Sequence, residues 1–159
     1  MKGFQMKAIG FRAEPKQVHF VVIERSGDTG IVKARGKLLA PASFSEAQQL
    51  DWYRGKVRTV LDEHKPEKVA VRYPEPSARQ GKVTSAQRRL RIEGVILEAA
   101  FSKGKEIVTG PWATWSSLLH TKSAKEYLSR DNVRGIDQTG VKDDYEREAF
   151  LAALASIGG

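Results

Sequence analysis

Apolar and polar positions alternate through the first forty residues and then change period, dividing the chain into strand-rich and helix-rich parts. Lys7 to Arg12 and Val18 to Glu24 are short β-rich runs separated by Ala-Glu-Pro-Lys, and Ser26-Gly27-Asp28 closes the resulting hairpin. Gly30 to Leu39 alternates Ile31, Val32, Ala34 and Leu38 with basic residues and ends before Pro41, which predicts a third strand in an antiparallel meander. Ser43-Phe44-Ser45-Glu46 then reads as a capping box. Leu50, Tyr53, Val57, Val60, Leu61 and His64 follow at three- and four-residue steps, predicting a helix from Phe44 to His64 that Pro66 closes. Lys68 to Tyr73 is β-branched and bounded by prolines, as a buried strand after a crossover helix would be. Thr84 to Phe101 carries Ala86, Leu90, Gly94, Leu97 and Phe101 on one helical stripe, and its second half is apolar nearly all round, predicting a central helix. Glu106 to Thr109 predicts another parallel strand. Short helices follow at Trp112 to Leu119 and Ser123 to Ser129, Gly135-Ile136-Asp137 marks a turn, and Asp143 to Ile157 forms a last helix whose opening acids suit its positive end.

The order β-β-β-α-β-α-β-α-α leaves several α/β folds open, among them a mixed sheet of five strands, three antiparallel and then two parallel, flanked by helices. That is the organisation of the RNase H-like fold. Gly10 to Ile23 resembles the first hairpin of the RuvC family of Holliday-junction resolvases, and HKPEKVAVR resembles its helix end and fourth strand. SAQRRLRIEGVILEAA, from Ser85 to Ala100, is similar without a gap to the long RuvC helix, with a Gly near the middle and an Ala-Ala pair after it. KDDYEREAFLAAL resembles the last helix of the family, with Glu148 at the place of the final acid and Asp144 one turn earlier on the same face. The resemblance implies a carboxylate cluster that binds two Mg²⁺ ions for phosphodiester hydrolysis, and homodimerisation. Two of those acids fall on Arg12 and Arg72. A guanidinium has no lone pair for a metal, so Arg12 and Arg72 are expected to form ion pairs with Asp144 and Glu148, with no catalytic residue and no cofactor.

The 159 residues fit one domain, residues 1–159, within the usual span of about 100 to 200. With no apolar run long enough to span a bilayer and no secretory-type segment in MKGFQMK, the expected setting is cytoplasmic, without membrane contact. The absence of cysteine excludes disulfides and thiolate chemistry, and the three His lie too far apart for zinc-type spacing. A net charge of +8 and a pI near 9.8 favour a polyanionic partner, DNA or RNA.

Charge is most biased from Pro76 to Ile92, where Arg79, Lys82, Arg88, Arg89 and Arg91 stand without an acid. Basic residues at a helix start oppose its dipole, so this run reads as a phosphate contact, against the alternative of a solvated helix end. Lys122, Lys125, Arg130 and Arg134 form a looser basic region. Arg12 and Arg72 themselves are open to two roles, phosphate binding in the old cleft or a salt-bridge core. The nuclease alternative uses Mg²⁺ on a displaced acid set of Asp143, Asp144 and Glu148, helped by Glu14 or Glu75. Glu14 keeps the strand parity of the lost acid, whereas Glu75 does not. Trp112 and Trp115 have core spacing with Leu118 and Leu119, and Trp52 lies off the apolar stripe of its helix, where a protein partner or homodimer contact is possible.

Overall fold

The computed structural model describes residues 5–75 and 83–158. Strands β1 (Gln5–Ala13), β2 (Val18–Ser26) and β3 (Thr29–Leu38) form the antiparallel meander. Helix α1 (Glu46–His64) crosses to β4 (Lys68–Arg72), which runs parallel to β1, and helix α2 (Val83–Ser102) crosses to β5 (Glu106–Gly110), parallel to β4. The sheet order is β3-β2-β1-β4-β5, and the sheet is mixed and five-stranded as expected, with three antiparallel strands followed by two parallel ones. Helix α3 (Trp112–Leu118), a 3-10 turn at Ala124–Ser129 and helix α4 (Asp144–Ser156) complete the fold.

Side chains of successive strand residues point to opposite faces, so the sheet separates two cores. Ile9, Phe11, Val69 and Val71 pack with Tyr53, Val57 and Leu61 of α1 and with Ile92 and Ile96 of α2. Ala8, Val21, Ile23 and Ala70 meet Trp115 and the Ala149–Ala155 run of α4 on the other face. Small residues on this second face let α4 lie close to the sheet. At Gly10 a Cβ would stand 1.8 Å from the Ala149 carbonyl oxygen, so only glycine admits the contact.

Four local expectations change. Helix α1 begins at Glu46 after the N-cap Ser45, and the capping box joins Ser45 to Gln48 instead of Ser43 to Glu46, leaving Phe44 in a loop. The buried stripe of α2 is Ile92, Ile96, Ala99 and Ala100, while Leu90 and Phe101 are 57% and 77% exposed. Periodicity finds both faces of a helix that is apolar nearly all round and cannot choose between them. In β3, an extra residue at Lys33 shifts the register between Val22–Ala34 and Ile23–Val32, which turns Arg35 and Lys37 toward α4. The turn at Arg134-Gly135 joins two short strands, β6 (Asn132–Val133) and β7 (Ile136–Asp137), through two positive-φ residues. No described helix is long and apolar enough to cross a membrane.

Candidate functional site

Parallel pairing of β1 with β4 sets Ala8 against Lys68 and Phe11 against Val71, so the next step along both strands places Arg12 beside Arg72. Both residues share the parity of Ala8 and Ala70 and leave the sheet toward α4. The close seat of α4 over Gly10 brings Glu148 down between them. Glu148 Oε1 accepts from Arg12 Nε at 3.2 Å. Arg72 Nε lies 2.9 Å from the same oxygen but lacks hydrogen-bond geometry, so this second contact is an ion pair only.

Each guanidinium makes further contacts. Arg12 Nη1 donates to the Ala13 carbonyl at 2.7 Å, and its guanidinium carbon lies 4.7 Å from the centre of the Tyr145 ring. Arg72 donates to the Tyr73 carbonyl, lies 3.3 Å from Glu75 Oε1 and covers Trp112 at 4.2 Å. Burial pulls the Arg72 guanidinium below its ordinary value, Glu148 opposes that shift, and Arg12 adds to it. A guanidinium nevertheless keeps its proton at physiological pH, so Glu148 by itself does not neutralise the Arg12–Arg72 pair, and Glu75 at the rim supplies the second negative charge.

A second network adjoins the first. Glu14 is bonded to His19 and Gln17, His19 Nδ1 lies 3.9 Å from Asp143 Oδ1, and the His19 and Tyr145 ring centres are 5.5 Å apart. Asp143 caps α4 by accepting from the Tyr145 and Glu146 backbone N–H groups, and Lys37 Nζ reaches its other oxygen at 3.3 Å. Arg35 pairs with the buried Glu146 at 3.2 Å. Sequence reading missed His19 as part of this region. Its one signal is a polar residue on the inward parity of β2, in the otherwise apolar series His19, Val21, Ile23.

The displaced acids do not converge. Glu14 is held by His19 and Gln17, Glu75 accepts from the Trp112 backbone N–H at 2.7 Å, and Asp143 is the helix cap. Asp144, expected to share the arginines with Glu148, is exposed and pairs with no described residue. A magnesium pair requires several free carboxylate oxygens, whereas Glu148 Oε1 already faces two cations. Among the described residues no group of three or more His, Asp or Glu is placed to hold a metal ion, so this site does not fit one.

Glu93, on α2, is a buried carboxylate that sequence reading did not single out. Its Oε2 has no hydrogen-bond partner among the described residues and lies 3.7 Å from Arg89 Nε. Burial pushes this carboxyl up to about 7, against the opposing pull of Arg89 and Arg12. The native state therefore binds a proton that the unfolded chain releases between its ordinary value and about 7, and stability falls as pH rises through that window. Glu93→Gln is expected to stabilise the fold at pH 8 by on the order of 2 kcal/mol and to have little effect at pH 4.5, as measured by urea denaturation at the two pH values.

No protein-family model and no curated protein matches the sequence. Comparison of the coordinates with solved structures does find relatives in shape. Thermus thermophilus RuvC superposes with a TM-score of 0.80 at 18% identity, over 96% of this chain and 94% of that one. The fold is that of RuvC. The same Thermus protein in complex with a Holliday junction substrate gives a TM-score of 0.77 at 17% identity, with the same coverage. The yeast mitochondrial Holliday junction resolvase Ydc2 gives 0.67 at 11% identity, over 96% of this chain and 78% of that one. At such identities the likeness establishes the RuvC fold, and the side chains decide the chemistry.

On this RuvC fold the basic run divides. Arg79 and Lys82 lie outside the described residues. Arg91 pairs with Glu46 of α1 at 3.2 Å and Arg89 with Glu93, whereas Arg88 is exposed and has no ion-pair partner among the described residues. In the looser basic region, Arg130 and Arg134 stack over Tyr127, while Lys122 and Lys125 are exposed. Trp115 is fully buried and donates to the Gly110 carbonyl at 2.9 Å, Trp112 supports Arg72, and Trp52 is half-buried on α1.

Proposed function

We propose that this chain is a noncatalytic RuvC-fold domain that binds nucleic acid, or a nucleoprotein complex, through a basic surface. The observation that carries this reading is Glu148 held between Arg12 and Arg72, where in-line hydrolysis would need an acidic site for two divalent cations. Hydrolysis loses its metal platform, while the net charge of +8 still favours a polyanion. The Thermus RuvC of the same fold forms a complex with a Holliday junction, and Arg88 offers an exposed cation on the helix that opens the basic run.

Branched and single-stranded DNA and RNA incubated with the protein in Mg²⁺ or Mn²⁺ are expected to remain intact. Cleavage that disappears in Glu148→Gln or Glu14→Gln would establish the displaced-acid nuclease instead. Binding is expected to weaken with salt, and Arg88→Glu to weaken it further and reduce the magnitude of the log-affinity against log-salt slope by about one if that residue contacts a phosphate. An unchanged slope and affinity in a titration by fluorescence anisotropy would remove Arg88 from the surface.

A protein-interaction role is favoured by a different observation, the outer face of α2. Val83 is 65% exposed, and Leu90 and Phe101 extend the apolar stripe that misses the core. On this second reading the stripe joins a partner or a second copy. Leu90→Glu with Phe101→Glu is then expected to abolish self-association in sedimentation, or to remove a co-purifying protein, while leaving nucleic-acid affinity unchanged.

A further inference from the structure

A groove of about 550 Å³ opens where the β1–β2 turn and the loop from 39 to 45 meet α1 and the start of α2. Its apolar surface includes Leu39, Phe44 and Trp52, and its cations are Lys16 and Arg88. Leu39 is 62% exposed and Phe44 37% exposed, so large apolar groups face solvent beside charges that are themselves exposed. The one acid on the wall, Glu46, is paired with Arg91, which leaves the groove net positive.

The walls are tied together by hydrogen bonds within the protein. The Tyr53 hydroxyl donates to the Lys16 carbonyl at 2.9 Å and accepts from the Ala40 N–H at 3.4 Å, joining the β1–β2 turn to the loop. Gln49 Nε2 donates to the Pro41 and Phe44 carbonyls, both at 3.3 Å, and the Phe44 N–H donates to Pro41 at 3.1 Å. Phe44 is thereby held at the rim from both sides. The volume lies within the range of about 300 to 1,000 Å³ typical of small-ligand sites, so the groove has room for one nucleotide.

Aromatic surface beside cations matches a flat, weakly polar group that carries a negative charge. Duplex nucleic acid keeps its bases stacked and offers only phosphates to such a surface, whereas a single strand offers both. We infer that this groove takes an unstacked base of a single-stranded segment, packed against Phe44 and Trp52, with the adjoining phosphate held by Arg88 and Lys16. The inference rests on the nucleic-acid reading above and adds to it a preference for single strands and a place where they bind.

The test is fluorescence anisotropy with three labelled probes: a thymidine dodecamer, an abasic strand of the same length, and a blunt duplex. Wild-type protein is expected to bind the dodecamer more tightly than the abasic strand. Phe44→Ala is expected to weaken dodecamer binding about tenfold and to leave the other two probes unchanged, since base stacking is the interaction removed. Trp52→Leu is expected to act in the same direction, with its urea midpoint recorded because Trp52 is half-buried. Equal dodecamer affinity in Phe44→Ala, or an equal loss on all three probes, overturns the inference. Duplex binding without any advantage of the dodecamer over the abasic strand overturns the groove and leaves the nucleic-acid reading standing. Failure of the wild type to bind any of these probes overturns the groove, and failure to bind branched DNA and RNA as well overturns the nucleic-acid reading.

Discussion

Glu148→Ala is expected to destabilise the fold by about 3–5 kcal/mol, because it leaves Arg12 and Arg72 buried side by side without their shared counter-charge. The two guanidiniums are held by adjacent strands and covered by Tyr145 and Trp112, so neither reaches water without moving its support. Urea denaturation at neutral pH measures the loss, and a thermal scan should show a fall of about 2–4 °C for each kcal/mol in a domain of this size. Arg72→Met alone is expected to cost less, since Arg12 still pairs with Glu148. Replacing the whole cluster, as Arg12→Met, Arg72→Met and Glu148→Leu together, is expected to recover most of the loss, because a buried ion cluster gains little over apolar groups of similar volume. If Glu148→Ala costs under about 1 kcal/mol, the cluster is hydrated in solution and Arg12 and Arg72 are open to an external anion, as in the phosphate-binding role.

Gly10→Ala should cost at least about 3 kcal/mol, above the usual range for an added methyl in a core. Its Cβ would lie 1.8 Å from the Ala149 carbonyl oxygen, 2.7 Å from the carbonyl carbon and 3.1 Å from the Ala153 nitrogen, all backbone atoms that no rotamer change can move. Relief requires α4 to lift from β1, and that motion also withdraws Glu148 from Arg12. The same methyl added at Gly55, in α1, meets no atom within 4 Å. Gly55→Ala is therefore expected to stabilise the protein by up to about 1 kcal/mol through helix propensity alone. Paired urea titrations of the two variants separate backbone collision from a general effect of losing glycine.

Both predictions concern contacts that no short window of sequence contains. The succession of strands and helices was legible because β-branched runs, the crossover helix and the prolines are local signals, whereas the order β3-β2-β1-β4-β5 within the sheet was not. The two arginines were legible as a place where charge of the wrong sign stands, through resemblance to the RuvC hairpin and fourth strand. Their partners were only half legible. Asp144 and Glu148 lie one helical turn apart, yet Glu148 is buried where α4 sits against β1 and Asp144, at the start of the helix, is exposed. Arg35 and Lys37 read as the polar side of an alternating strand, and the extra residue at Lys33 turns them onto Glu146 and Asp143. Glu93 gave no signal at all, since a lone Glu between Ile92 and Gly94 looks like any exposed helix position.

The sequence by itself determined the succession of strands and helices, the antiparallel and parallel halves of the sheet and the basic balance of the chain, because period and composition are properties of neighbouring residues. Tertiary structure alone decided which face of α2 is buried, that Leu39, Phe44 and Trp52 border one groove, and that Glu148 reaches Arg12 from 136 positions away. Those outcomes depend on how closely two backbones approach and on which oxygen a buried cation finds. Both are set by packing between distant segments, which periodicity along the chain does not encode.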